Sequence, residues 1–483
     1  MNQSKTPLFT KLQEHHLRQT ISFHVPGHKN GKVFPEMSNT LFSSILNIDV
    51  TELRGLDDLH DPEDIIAESQ YLAANLYGVD KTYFLVNGST VGNLASILST
   101  VSSNDIVIVQ RDCHKSVLNA LKMANARPIF IAPDYDEKSN VCTGANQEDV
   151  IKAIEQYPSA KAVILTNPNY YGIARDLKGV IECAHRHQII VIVDEAHGAH
   201  FILGDPFPPS AVQAGADLVI QSAHKTLPAM TMGSYLHVQG TLINMERLEF
   251  YLRALQSSSP SYPLMASLDL ARFYLAQLKS EKKQIRSLVR SLTQFEERLN
   301  EMEGIKVVFP LDPYIKKDPL KVMIQPVHPF VKTGYGLQRQ LESQQIYSEL
   351  ADLFHVLLVL PLSEQFPFEQ SLQKMKTALE KATNNETSPD MNQIRPFHFQ
   401  NTVLAISYEE MDLLKRRTLP FKEAIGRVAA LPIIPYPPGI PILLEGELIE
   451  SRHISYISRL QELGAKIQGG QGLRNQQLEV FLI

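Results

Sequence analysis

From residue 81 onward, short apolar runs alternate with amphipathic stretches, and no other feature limits the possible folds so sharply. The runs fall at 83–86, 106–109, 129–131, 162–165, 189–193 and 218–220. Stretches with helical periodicity lie at 91–100, 114–125, 147–157 and 176–187. The runs are too short for helices and continuously apolar, which predicts strands buried on both faces. Their alternation with helices predicts an α/β fold, a mostly parallel sheet covered by helices on both sides. Residues 231–238 read as one added antiparallel strand.

In open parallel sheets, ligands bind beyond the carboxyl ends of the strands. The residues that follow each run are therefore the candidates for chemistry. After 218–220 come Ser222, His224 and Lys225; after 189–193 come Asp194, Glu195, Ala196 and His197. A lysine amine at a buried strand end is placed to condense with a carbonyl. A carboxylate at a second strand end suits pyridoxal phosphate, whose ring nitrogen takes an acidic partner. Ala196 is small enough to let a flat ring lie against the backbone. Asp194-Glu195-Ala196-His197 can also be read as the magnesium box of a nucleotide hydrolase. That chemistry needs a Gly-x-x-x-x-Gly-Lys-Ser/Thr phosphate loop, and the chain has none.

The other strand ends carry two readings each. Ser89 and Thr90, in Asn87-Gly88-Ser89-Thr90, open a helix, either as a plain cap or as a phosphate cradle. His114 can stack on a ring or cap the next helix. Asn167, Asn169, Tyr170 and Tyr171 can reach a ring hydroxyl or simply form a turn. Ser257, Ser258, Ser259 and Ser261 can touch a phosphate or belong to an ordinary loop.

Composition narrows the function class. A net charge of −6 with both signs intermixed leaves no electrostatic footprint for nucleic acid or anionic membrane. Cys113, Cys142 and Cys183 show neither metal nor redox spacing, so no metal site is expected and a reduced, cytoplasmic setting is. No run is long enough to span a bilayer. At 483 residues the chain calls for more than one domain. The expected division is an N-terminal arm (1–48), a large cofactor-binding domain (49–303), a small α+β domain (304–383), a polar linker (384–399) and a C-terminal domain (400–483). The arm shows few regular signals, Pro62, Glu63 and Asp64 open a helix reaching Tyr77, and 262–303 reads as one long helical region.

Taken in order, these stretches resemble the Orn/Lys/Arg decarboxylase family, in its short branch without an N-terminal wing domain. The resemblance rests on His24-Val25-Pro26-Gly27-His28-Lys29, Gly55-Leu56-Asp57-Asp58-Leu59-His60, Asn87 to Thr90, His114-Lys115-Ser116, Asp194 to His197, Ser222 to Lys225, 257–268 and 436–441. It implies an aspartate-aminotransferase-like fold with smaller α+β C-terminal domains, and decarboxylation of arginine, lysine or ornithine with pyridoxal 5'-phosphate. It implies that Lys225 carries the cofactor, that Asp194 pairs with the ring nitrogen, and that His114 and Ala196 flank the ring. Ser89, Thr90, Ser222 and His224 are implied at the phosphate, and His197 near the ring hydroxyl. Ser259 is implied on the phosphate of a neighbouring subunit, hence a homodimer or higher homo-oligomer. Two departures stand out. Asn169 replaces the common Thr, and Glu445-Gly446-Glu447 replaces Pro-Gly-Glu, with the extra acid, Glu445, read either as near a cationic substrate or, as expected of an isolated carboxylate, as exposed. The distal cation of a basic substrate needs an acid, and Glu52, Asp57, Asp58 and Glu447 are the candidates. The alternatives are another reaction on the same cofactor, such as transamination or side-chain lysis, and a weakly active regulatory partner of a decarboxylase.

Overall fold

The structure is a computed structural model that describes residues 1–327, 331–382, 397–435 and 439–483. The chain forms two compact units, one of residues 1–100, 190–205 and 209–285, the other of 101–189, 206–208 and 286–483.

In the first unit, strands run in the order Lys81–Leu85, Ser234–Val238, Leu218–Gln221, Ile190–Asp194. The first two pairings are antiparallel and the last is parallel. The expected antiparallel strand is therefore real, shortened to Ser234–Val238. Residues of Leu218–Gln221 and Ser234–Val238 are buried throughout, as continuously apolar strands should be. Helix Gly88–Thr100 lies on this sheet. A Cβ on Gly92 would come within 2.8 Å of both Ile220 and Leu85, so glycine sets how closely helix and sheet approach.

The arm is more regular than expected. It opens with helix Pro7–Leu17, whose Leu8 and Leu12 are buried. The backbone N–H groups of Leu8 and Phe9 donate to Asp269 at 3.1 and 3.4 Å, and Arg272 donates to the Gln3 carbonyl at 2.7 Å. Its few buried side chains gave too weak a period to read. The long helical region is also two helices, Tyr262–Ser280 and Lys282–Asn300. Glu281 between them, at φ −111° and ψ 74°, is outside helical geometry.

In the second unit, strands Ala162–Thr166, Ile106–Gln110 and Arg127–Ile131 are parallel neighbours, with Thr402–Val403 antiparallel at the edge. A hairpin of Pro133–Asp136 and Val141–Ala145 escaped the sequence reading because its first strand is polar. Strands Ile305–Val308, Lys321–Pro326, Val356–Val359 and Leu350–Ala351 form a separate antiparallel sheet. Farther along, Leu443, Ile457 and Val480 centre an apolar cluster, framed by the antiparallel pair Arg416–Pro420 and Gln477–Phe481. Most of the expected linker (384–396), and Tyr436 to Pro438 of the 436–441 motif, lie outside the described residues.

Candidate functional site

Strand Leu218–Gln221 delivers Ser222, and a single helical turn, Ala223–Thr226, follows. Ser222 starts that turn yet makes no side-chain cap. Its hydroxyl instead meets Ser89 Oγ at 2.6 Å, and Ser89 Oγ also lies 3.3 Å from Ser234 Oγ. Ser89 sits in the first turn of helix Gly88–Thr100, where backbone N–H groups lack intrahelical partners. Gly88 enters that helix at φ +77°, a conformation other residues rarely adopt. Three hydroxyls thus converge at a helix N-terminus, the local chemistry of an anion cradle. Thr90 is exposed on the same turn.

Lys225 Nζ is half-buried, 3.0 Å from His197 Nε2. His224 presents Nδ1 to the Gly233 carbonyl at 3.1 Å. Asp194 ends strand Ile190–Asp194 and is 3 % exposed. One carboxylate oxygen accepts the Asn93 amide at 2.8 Å and the other the Ala196 backbone N–H at 3.1 Å. A carboxylate has about four acceptor sites, so Asp194 keeps capacity for a further donor. Ala196 is buried beside it.

Glu195 points away from this cluster. Its carboxylate accepts the Ala211 N–H at 2.6 Å, the Ser210 hydroxyl at 2.7 Å and the Gln221 amide at 2.6 Å. Burial raises its pKa to about 7 despite those donors. Gln221 then meets His237 Nε2 at 3.0 Å, and His237 Nδ1 meets Thr82 Oγ1 at 2.9 Å. Burial lowers the His237 pKa to about 3. A neutral imidazole gives each end of this chain a fixed role: Nε2–H donates to Gln221, and Nδ1 accepts from Thr82.

The serine loop follows Gln256, whose amide oxygen accepts the Val86 N–H at 2.9 Å. Ser257 N–H donates to Asn87 at 3.4 Å, and Ser257 carbonyl oxygen lies 2.8 Å from His60 Nε2. Ser259 is exposed at the loop's tip, 3.4 Å from Ser257 Oγ.

His114 belongs to the second unit. It caps helix Lys115–Met123, taking the Ser116 N–H at 3.2 Å on Nδ1. In the 167–171 segment, both asparagine side chains are engaged in a turn. Asn167 bonds the backbone of Arg175, and Asn169 bonds that of Cys142, Tyr171 and Ile173.

The acids proposed for a substrate cation have different fates. Asp57 accepts five backbone N–H groups, from Asp58, Glu63, Asp64, Ile66 and Ala67, and so caps helix Ile65–Tyr77. Asp58 accepts the His60 N–H at 2.8 Å. Glu447 is buried in an ion pair with Arg111 at 2.8 Å. Glu52 has a buried oxygen, Oε1, with no hydrogen-bond partner. Glu445, expected to be exposed, is instead held by Lys122 at 2.8 Å and Arg416 at 3.3 Å. Those cations lie far off in sequence, so a motif of three residues could not reveal them.

Sequence reasoning missed Asn93, Gln256 and Gln221, polar residues whose neighbours in sequence look like core. A buried polar side chain without a partner is costly, and that rule alone could have flagged Asn93 inside an apolar helix.

Among the described residues no group of potential ligands could hold a metal ion, and no helix is long and apolar enough to cross a membrane. Asp194 ends one strand and Lys225 follows its parallel neighbour on this α/β scaffold. The solved structure of lysine decarboxylase LdcF from Francisella novicida has a TM-score of 0.82 against the chain at 19% identity, covering 99% of this chain and 81% of that one. The family models for the Orn/Lys/Arg decarboxylase major domain and C-terminal domain match residues 6–326 and 398–471. The chain belongs to the Orn/Lys/Arg decarboxylase family. Bacillus subtilis arginine decarboxylase is 34% identical over 477 residues, 97% of this chain and 96% of that one. The Bacillus subtilis uncharacterized protein YaaO is 45% identical over 480 residues, 99% of this chain and 98% of that one.

Proposed function

We propose that the chain is a pyridoxal-phosphate-dependent decarboxylase of a basic amino acid, with arginine first among the substrates to test. Arginine is favoured because a relative of that name is 34% identical across nearly the whole chain, whereas the lysine decarboxylase structure is 19% identical. The observation that carries the chemistry is Lys225 Nζ beside His197 at 3.0 Å, following the strand next to the one that ends in Asp194.

The residues present fit the cofactor. Ser89, Ser222 and the helix N-terminus suit its phosphate, Thr90 and His224 flank them, and Asp194 has acceptor capacity left for a ring nitrogen. His114 and Ser259 keep their proposed cofactor roles on family grounds. Pyridoxal phosphate, when bound, supplies an electron sink for the pair left as carboxyl departs as CO2. The chain's own residues do the rest. His197 accepts a hydrogen bond at Lys225 Nζ and can hold or return a proton there. Asp194 is a rigid acceptor, since each oxygen already has one N–H. The Ser89–Ser222 contact locks the cradle to the strand that leads to Lys225. Glu52, with its unfilled buried oxygen, is the proposed partner for the distal cation of the substrate.

The test is incubation with cofactor and an equimolar mixture of arginine, lysine and ornithine, with analysis of amines, CO2 and keto acids. One basic amine with matching CO2 is expected. Lys225→Ala should abolish turnover and the borohydride-reducible attachment of cofactor. Glu52→Gln should raise KM for the preferred substrate far more than it lowers kcat. Keto acid without CO2 would overturn decarboxylation in favour of amino transfer. We further propose a homodimer whose sites draw on both chains through the serine loop.

A further inference from the structure

Asn93 lies in the middle of helix Gly88–Thr100, 1 % exposed, among Val91, Ala95 and Ile97. The position is unfavourable twice over. Asparagine is a poor former of helix interiors, and burying its amide costs free energy unless the amide is bonded. The compensation is specific: Nδ2 donates to Asp194 Oδ2 at 2.8 Å. The contact exists because of the residue before it. Gly92 lets the helix settle onto Ile220 and Leu85, where a Cβ would collide at 2.8 Å. Asp194 is gripped on its other oxygen by the Ala196 N–H. Two donors, one per oxygen and from different elements, fix the plane of a carboxylate that a single donor would leave free to rotate.

We infer that Asn93 is a positioning residue for Asp194. It sets the carboxylate plane so that the remaining acceptor sites are aimed consistently at a ligand's N–H. This rests on the proposed function above, since that ligand is the cofactor ring. Asn93 touches no reacting atom in this scheme and acts only through Asp194. Its neighbour Ser96, one turn on and equally buried, has a hydroxyl with no hydrogen-bond partner and provides the control.

The experiment compares wild type, Asn93→Leu, Asn93→Ala, Ser96→Ala, Asp194→Asn and the double variant Asn93→Leu/Asp194→Asn. Each is titrated with pyridoxal phosphate. The readouts are the dissociation constant and the pH midpoint of the bound cofactor's visible absorbance, with kcat and KM measured separately. Hydrogen bonds to a charged group have a large effect when broken, so Asn93→Leu should lower kcat by about 10- to 100-fold. KM should stay within about twofold of wild type, as expected when an interaction serves the transition state more than binding. The absorbance midpoint should move in Asn93→Leu and stay put in Ser96→Ala. In the Asp194→Asn background, adding Asn93→Leu should cost almost nothing, because the two act as one unit. If Asn93→Leu fails to fold, Asn93→Ala carries the comparison. An unchanged midpoint, a shift shared by Ser96→Ala, or full additivity with Asp194→Asn each overturns the inference. Failure of the wild type to bind pyridoxal phosphate would instead overturn the proposed function, and the two failures are distinguishable.

Discussion

Glu195 and Asp194 are neighbours in sequence that do opposite work. Asp194 takes the Asn93 amide and the Ala196 N–H, while Glu195 ties the end of its own strand to Gln221 on the next strand and to Ser210. The sign of its pH effect follows from burial. Folded, Glu195 holds its proton up to about pH 7, against 4.5 for the free side chain. Its contribution to stability is therefore fully present below pH 4.5 and is lost as pH rises toward 7. The loss should be about 3 kcal/mol, from the size of that displacement. Urea unfolding across this range should show wild type losing about 3 kcal/mol relative to Glu195→Gln, whose neutral amide does not titrate, and a constant difference would refute it. At this scale the sequence was legible for position, since Lys225, Asp194 and Ser222 do fall at or just after strand ends. It was not legible for Asn93, whose partner lies 101 residues away, nor for Asp57, which resembles a substrate acid but is used up as a helix cap.

Elements were easiest to read where the period was strict. The strands after residue 81 appeared within a residue or two of expectation because each contains a continuous apolar run. The hairpin at 133–145 and the N-terminal helix were lost because tertiary contacts, not pattern, hold them. Arg111 shows what such a contact can bear. It follows strand Ile106–Gln110 and donates to the carbonyls of Pro441 and Ile442 and to Glu447, at 3.1, 3.0 and 2.8 Å. It is buried with Glu447, and burial pulls the guanidinium pKa down and pushes the carboxyl pKa up, each offset in part by the other's charge. Arg111→Met leaves Glu447 buried and unpaired, and should destabilise the unit by roughly 3–5 kcal/mol. Adding Glu447→Leu should recover most of that loss. Denaturant midpoints of the three proteins would decide, and equal damage in single and double variants would mean the carbonyl contacts dominate.

At the scale of the whole molecule, the described arm exposes large apolar side chains. Ile21, Phe23, Met37 and Leu41 are 81 to 95 % exposed, which fits burial against a second copy. Lys225→Ala and Ser259→Asp proteins, each inactive alone, should regain about a quarter of wild-type sites when unfolded and refolded together, by random two-fold pairing. Mixed dimers without activity would place each site within one chain. The first unit has a further property, visible in its strand order. Among the described residues, strand Lys81–Leu85 has a single neighbour, Ser234–Val238, and Thr82 meets His237 across 155 residues of sequence. At ribosomal speeds of roughly 5–20 residues per second, the earlier strand waits on the order of ten seconds or more for its mate. Throughout that interval the nascent chain displays an unpaired, apolar strand, so its yield in a cell depends on how well that strand is shielded while synthesis catches up.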